Sequence, residues 1–138
     1  MTWQIDQTDD LVTCLDLRRR VFIDEQNVPE HEELDGLDDM ALHVLAIDGV
    51  PVGCARILIK DQTAKIGRVC VLPSHRGTGL GAAIIRECLA LAAQNAATRA
   101  LLGAQTHALG FYERLGFTAF GPVYDDAGIP HRDMERAL

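Results

Sequence analysis

"RVCVLPSHRGTGLGAAIIRECLALAA", residues 68 to 93, runs from a short apolar segment through a glycine-rich turn into an alanine-rich stretch with helical spacing. A strand that turns through glycines into a helix presents the helix's first backbone N–H groups. These have no partner inside the helix and lie at the positive end of its dipole, so the turn suits an anion. A dinucleotide fingerprint, Gly77-x-Gly79-x-x-Ala82, predicts an acid about 20 residues further on for a ribose hydroxyl. Residues 95 to 101, NAATRAL, contain none. A triphosphate loop needs Gly-Lys-Ser/Thr at the helix start, where this chain has Gly79, Leu80 and Gly81. What is left is Arg76-x-x-Gly79-x-Gly81, a guanidinium beside helix amides. That unit suits a pyrophosphate, and it follows a strand whose edge can hold the rest of a long ligand.

Outward from this turn the chain alternates element types. Upstream, TDDLVTCLDLRRRVFIDEQ reads as a first helix with Thr8 as N-cap, and NVPEHEELDGLDDM as an acidic loop with a helical turn. ALHVLAID and PVGCARILIK flank an Asp-Gly pair, a hairpin signal, and AKIGRVCVL follows as a third strand of that group. Downstream of the long helix, expected from Gly79 to Asn95, come the strand ALLGA and the shorter helix THALGFYERL, closed by Gly116. Two last strands, FTAFGPVY and HRDMERAL, surround DDAGIP. Hairpins mixed with one β-α-β crossover define an α/β (α+β) class with a mixed, strongly twisted sheet of about six to seven strands and about four helices.

The 138 residues fit one domain, 1–138, with 48% hydrophobic and 24% charged residues. A net charge of −7 argues against nucleic acid and anionic membranes as partners. No apolar run approaches the roughly 18 residues that span a bilayer, and MTWQIDQTDD is not a secretory leader, so a cytoplasmic protein is expected. Cys14, Cys54, Cys70 and Cys88 stand apart in apolar company and read as buried thiols. The histidines show no metal-ligand spacing, so no metal site is expected.

VCVLPSHRGTGLGAAII resembles the acyl-CoA-binding motif of the GCN5-related (GNAT) N-acetyltransferases, [QR]-x-x-G-x-[GA] after an apolar strand. LLGAQTHALGFYERLGF resembles the same family's strand and tyrosine-bearing helix. LRRRVFIDEQ, LDGLDDMALHVLA, ARI, GRVCV and GIPHRDM are similar to its ElaA-like branch. The resemblance spans about residues 17 to 134. It implies acetyl-CoA as cofactor and transfer of its acetyl group to a primary amine of a small molecule or peptide, by direct attack in a ternary complex. Its pyrophosphate would lie on Arg76, Gly77, Thr78, Gly79, Gly81 and Ala82, and its pantetheine arm along Val69, Cys70 and Val71. The Val71 N–H would polarise the thioester carbonyl, and Tyr112 would protonate the departing thiolate.

A protonated amine must also lose a proton before it can attack. Glu25 is the first candidate for that base, followed by Glu33, Asp35, His43 and His131. Gln105 stands where some relatives carry an asparagine. A covalent route through Cys70 is disfavoured, because no base is evident beside it. The acidic segment Asp24 to Asp39 could line the amine entrance and favour cationic acceptors. The partners expected are acetyl-CoA and an amine acceptor, with a homodimer as an open alternative to the monomer. The rival reading is an inactive acyl-CoA-binding sensor or interaction module.

Overall fold

The chain forms seven strands, β1 (Gln4–Thr8), β2 (Leu42–Asp48), β3 (Val50–Lys60), β4 (Thr63–Val71), β5 (Arg99–Gln105), β6 (Thr118–Asp126) and β7 (Ile129–Ala137), in a computed structural model that describes residues 2–138. Its α-helices are α1 (Leu11–Arg18), α2 (Glu30–Glu33), α3 (Leu80–Gln94) and α4 (Leu109–Glu113). The strands make one sheet in the order β1-β2-β3-β4-β5-β7-β6. Every neighbouring pair is antiparallel except β4 and β5, which are joined through α3 and run parallel. The mixed sheet and the helix count agree with the sequence. No helix among the described residues is long and apolar enough to cross a membrane.

The central strand β3 is buried from Val52 to Ile57, because both faces of the sheet are covered. On one face, Leu80, Ile84, Ile85, Cys88 and Ala92 of α3 pack on Val44, Ala46, Ala55, Ile57 and Ile66. The helix lies so close to the sheet that a Cβ on Gly53 would sit 2.8 Å from Ile84 Cδ1 and 2.9 Å from the Cys70 carbonyl oxygen. On the other face, Cys14, Leu17 and Val21 pack on Leu45, Cys54 and Cys70. All four cysteines are free and buried, as expected.

The first helix differs from its sequence reading at both ends. Its N-cap is Asp10, whose carboxylate accepts from the Thr13 N–H at 3.1 Å, while Thr8 Oγ1 accepts from the Asp10 N–H. After Arg18 the chain continues as a π-helical segment, Arg19–Glu25, with Gln26 N–H donating to the Val21 carbonyl. Such widened turns have i→i+5 bonds and rotate the following side chains away from α-helical spacing. Glu25, at the end of this segment, pairs with Arg76.

Candidate active site

The site begins where β4 and β5 part. Their parallel pairing covers only Thr63 to Lys65 against Arg99 to Leu101, yet β4 continues to Val71 and β5 to Gln105. Beyond Lys65 the β4 edge that faces β5 carries no strand partner. A bulge accompanies the parting: Cys54 stands opposite Cys70 but Arg56 opposite Gly67, and Arg68 takes a left-handed φ of 51°. At the far end, Val71 stands opposite Gly53, and the Leu72 N–H donates to the Val52 carbonyl at 2.9 Å. Amides alternate sides along a strand, so the Val71 N–H points away from β3 and into the gap.

The glycine-rich turn closes one mouth of that gap. Gly77 and Gly79 have φ of 73° and 90°, a conformation that favours glycine. Gly79 is also the N-cap of α3 and supplies no side-chain acceptor, so the first amides of a 15-residue helix stay open to a ligand. A Cβ at Gly81 would stand in ordinary contact with the Phe111 ring, 3.5 Å away, which places this first turn of α3 beside α4. Arg76 Nε donates to the Val71 carbonyl at 2.9 Å, tying the turn to the strand. Its two Nη groups donate to Glu25 at 2.7 Å each. The hydrogen-bonded guanidinium holds the Glu25 carboxyl below the usual carboxylate range. The carboxylate expected as base is therefore paired with the arginine expected to meet the pyrophosphate. Thr78 is fixed through its hydroxyl, which donates to the His75 carbonyl.

Toward β5 and β7 the gap opens into a cavity of about 510 Å³, lined among others by Val69, Gln105, Tyr112, Gln26, Arg68 and His131. Tyr112 comes from α4, whose end is fixed by Gly116 at φ 90° and by the Phe117 N–H donating to the Tyr112 carbonyl at 3.1 Å. Its ring meets Phe111 and Phe117 edge to face, with centroids 4.9 and 5.9 Å away. Burial, helped by the neighbouring Cys88, pushes its phenol up to about 12. Gln105 Nε2 donates to Gln26 Oε1 at 3.1 Å, so the amide of the β5 terminus reaches the π-helical segment. The Cys70 side chain lies on the opposite face, 3.4 Å from Cys54 Sγ, which leaves only its backbone at the gap.

The acidic loop is bound from within. Arg18 reaches Glu33 at 2.5 Å and Asp38 at 2.7 Å, and Arg56 reaches Asp35 at 2.5 Å and Asp38 at 3.2 Å. Arg68 adds Asp35 at 3.3 Å and the Glu33 carbonyl at 3.0 Å. The Arg56 hydrogen bond holds the Asp35 carboxyl well below its ordinary range. At Asp38 burial pushes upward, but Arg18 and Arg56 outweigh it. Glu33, Asp35 and Asp38 thus face Arg18, Arg56 and Arg68, and this part of the loop adds little net negative charge to the cavity. His43, the imidazole expected among the bases, is buried, with Nε2 2.9 Å from the Asp38 carbonyl. The sequence reading missed the three arginines. The available signal was Arg18 itself, which sits on the same helical stripe as Leu11, Cys14 and Val21.

A parted parallel strand pair, an open helix start at one end and a tyrosine-lined cavity at the other define an acyltransferase fold. The Acetyltransferase (GNAT) domain profile matches residues 7–138, and the chain belongs to that family. It is 42% identical over 120 residues, 86% of each chain, to Uncharacterized N-acetyltransferase YjcF of Bacillus subtilis (strain 168). The crystal structure of Escherichia coli ElaA superposes with a TM-score of 0.83 at 33% identity, covering 97% of both chains. A Bacillus subtilis acetyltransferase solved in complex with CoA shares the fold, with a TM-score of 0.76 at 17% identity over 99% of both chains.

Proposed function

We propose that this protein transfers the acetyl group of acetyl-CoA to a primary amine of a small molecule or peptide, by direct attack in a ternary complex. The observation that carries the reading is the Val71 N–H facing an unpaired strand edge, between the Arg76 turn and the Tyr112 cavity. The donor set fits acetyl-CoA. Arg76, the Gly77-Thr78-Gly79 turn and the amides of Gly81 and Ala82 offer hydrogen bonds to a pyrophosphate. The free edge of Val69, Cys70 and Val71 offers backbone groups to an extended amide chain.

Acetyl-CoA supplies an activated acyl group; the chain supplies position and charge. The Val71 N–H stabilises the negative charge that develops on the acetyl oxygen. Tyr112 donates its phenolic proton to the departing sulfur. With its phenol pushed up to about 12, Tyr112 stays protonated at any working pH, and the burial that holds its proton also raises the proton affinity of a thiolate released beside it. Glu25 holds Arg76 in place until a pyrophosphate competes for it.

The test is calorimetric titration with acetyl-CoA, followed by thiol release across a panel of primary amines with wild type and Tyr112→Phe. Acetyl-CoA binding with turnover on at least one amine supports the reading. Binding without turnover points instead to an acyl-CoA-binding module, and absence of binding rejects both.

A further inference from the structure

Of the groups expected as bases, Glu25 lies on Arg76, Glu33 and Asp35 lie on arginines, and the His43 ring points its Nε2 at a carbonyl. His131 is different. It stands on β7 opposite Gln105 of β5 and Tyr124 of β6, and it lines the same cavity as Tyr112 and Val69. Its Nδ1 is 2.7 Å from the Ile129 carbonyl oxygen. A carbonyl only accepts, so Nδ1 carries the hydrogen and the neutral ring keeps its lone pair on Nε2. Nε2 has no hydrogen-bond partner among the described residues. The ring is held by stacking on Tyr124, with centroids 6.0 Å apart and planes 24° apart, and the Tyr124 hydroxyl is fixed by Asp133 at 2.7 Å.

We propose that His131 is the general base of the transfer, accepting a proton from the acceptor's ammonium group through Nε2. The proposal rests on the reading of the protein as an N-acetyltransferase. The proton moves from nitrogen to Nε2, and the freed lone pair forms the new N–C bond. The C–S bond then breaks, its electron pair stays on sulfur, and the Tyr112 proton neutralises it. The nitrogen, still carrying one proton too many after attack, returns that proton to the Tyr112 oxygen. The imidazolium then loses its proton to solvent, which accounts for the one proton released per turnover.

Several charged groups share the cavity with His131, most of them bound to one another or exposed. Asp133 on its own strand is bound by Tyr124, and Asp126 of β6 is exposed. Lys65 and Arg68 face the cavity from β4, and Arg56 from β3 is bound to Asp35 and Asp38. Glu33 and Asp35 on the acidic loop are held by arginines, and Glu32 is exposed.

The experiment compares wild type with His131→Gln on two probe acceptors, n-propylamine and hydroxylamine, at about pH 8, where the first is protonated and the second already neutral. The expected result is a loss in kcat of about 100-fold or more with n-propylamine and little loss with hydroxylamine. Acetyl-CoA affinity should be unchanged, and the acid limb of the kcat/KM profile should disappear. His131→Asn serves if the glutamine variant does not fold. Equal losses on both amines, or none on either, overturn the assignment of His131 while leaving the acetyltransferase reading intact. A wild type that binds acetyl-CoA and acetylates neither these probes nor any amine of the panel overturns that reading and the base with it. Independently of turnover, ring nitrogen NMR should show the Nδ1–H tautomer for neutral His131, and a dominant Nε2–H form overturns the proposal.

Discussion

Glu25 and Arg76 face each other in a two-pronged ion pair, Oε2 to Nη1 and Oε1 to Nη2 at 2.7 Å each, across the mouth where a pyrophosphate would lie. The pair is about two-fifths exposed on both sides, and exposed pairs are worth only about 0–1 kcal/mol. Glu25 therefore orients Arg76 without locking it, and its charge opposes an incoming anion. Glu25→Gln should tighten acetyl-CoA binding by up to about fivefold at low salt, with the gain shrinking as salt is added. Calorimetry checks this. A collapse of kcat at unchanged acetyl-CoA affinity would instead restore Glu25 as the base.

Tyr112→Phe keeps the ring that meets Phe111 and Phe117 and removes only the hydroxyl. It should lower kcat by about 10²–10⁴-fold with little change in the KM for acetyl-CoA. The same phenol gives a stability signature. Its pKa is about 12 in the folded chain and near 10 unfolded, so between those values the unfolded chain has lost a proton that the native one keeps. The native state then loses stability as pH rises through that window. Chemical denaturation should show less alkaline loss in Tyr112→Phe than in wild type.

The arginine and carboxylate cluster behind the cavity predicts the opposite limb. Asp35 and Asp38 titrate below their ordinary values because arginines hold their charged forms. Their contribution is complete above the unfolded carboxylate pKa, near 3.9, and is lost as pH falls through the lower folded values. Asp38→Asn leaves Arg18 with Glu33 and Arg56 with Asp35 but removes the carboxylate they share, and should destabilise the fold by about 1.5–3 kcal/mol at neutral pH. The acid sensitivity contributed by that carboxylate should disappear with it. Urea melts at neutral and acid pH measure both.

Gly53→Ala tests the seat of α3 on the sheet. The added methyl meets Ile84 Cδ1, which can swing, and the Cys70 carbonyl, which is backbone. A loss of about 1–3 kcal/mol is expected, read as a lowered melting temperature. Because Cys70 belongs to the strand proposed to hold pantetheine, acetyl-CoA affinity should fall as well.

The order of elements was legible because hydrophobic periodicity, the Asp48-Gly49 turn and the glycines at 77, 79 and 81 are local signals. The π-helical segment was not, since the run from Arg19 to Glu25 has no sequence mark that separates it from the α-helix before it. Glu25 closes that segment and pairs with Arg76, 51 residues away in the chain. The neutralised acidic loop was illegible for another reason. Arg56 lies 18 residues downstream of Asp38 and 21 downstream of Asp35, Arg68 lies 33 downstream of Asp35, and only the sheet brings them back. The lone pair on His131 depends on a bond to a carbonyl two residues away, which the letters GIPH do not disclose.

The parting of β4 and β5 has a thermodynamic consequence for the whole chain. A strand edge left without a partner in the free protein is completed by whatever lies along it, so a donor bound there as proposed would act as a missing strand and link folding to occupancy. At a donor concentration 100 times its dissociation constant, that linkage adds about 2.7 kcal/mol to the native state. The protein should therefore be hardest to unfold when it is loaded with donor, and its melting temperature should report the free acetyl-CoA concentration around it.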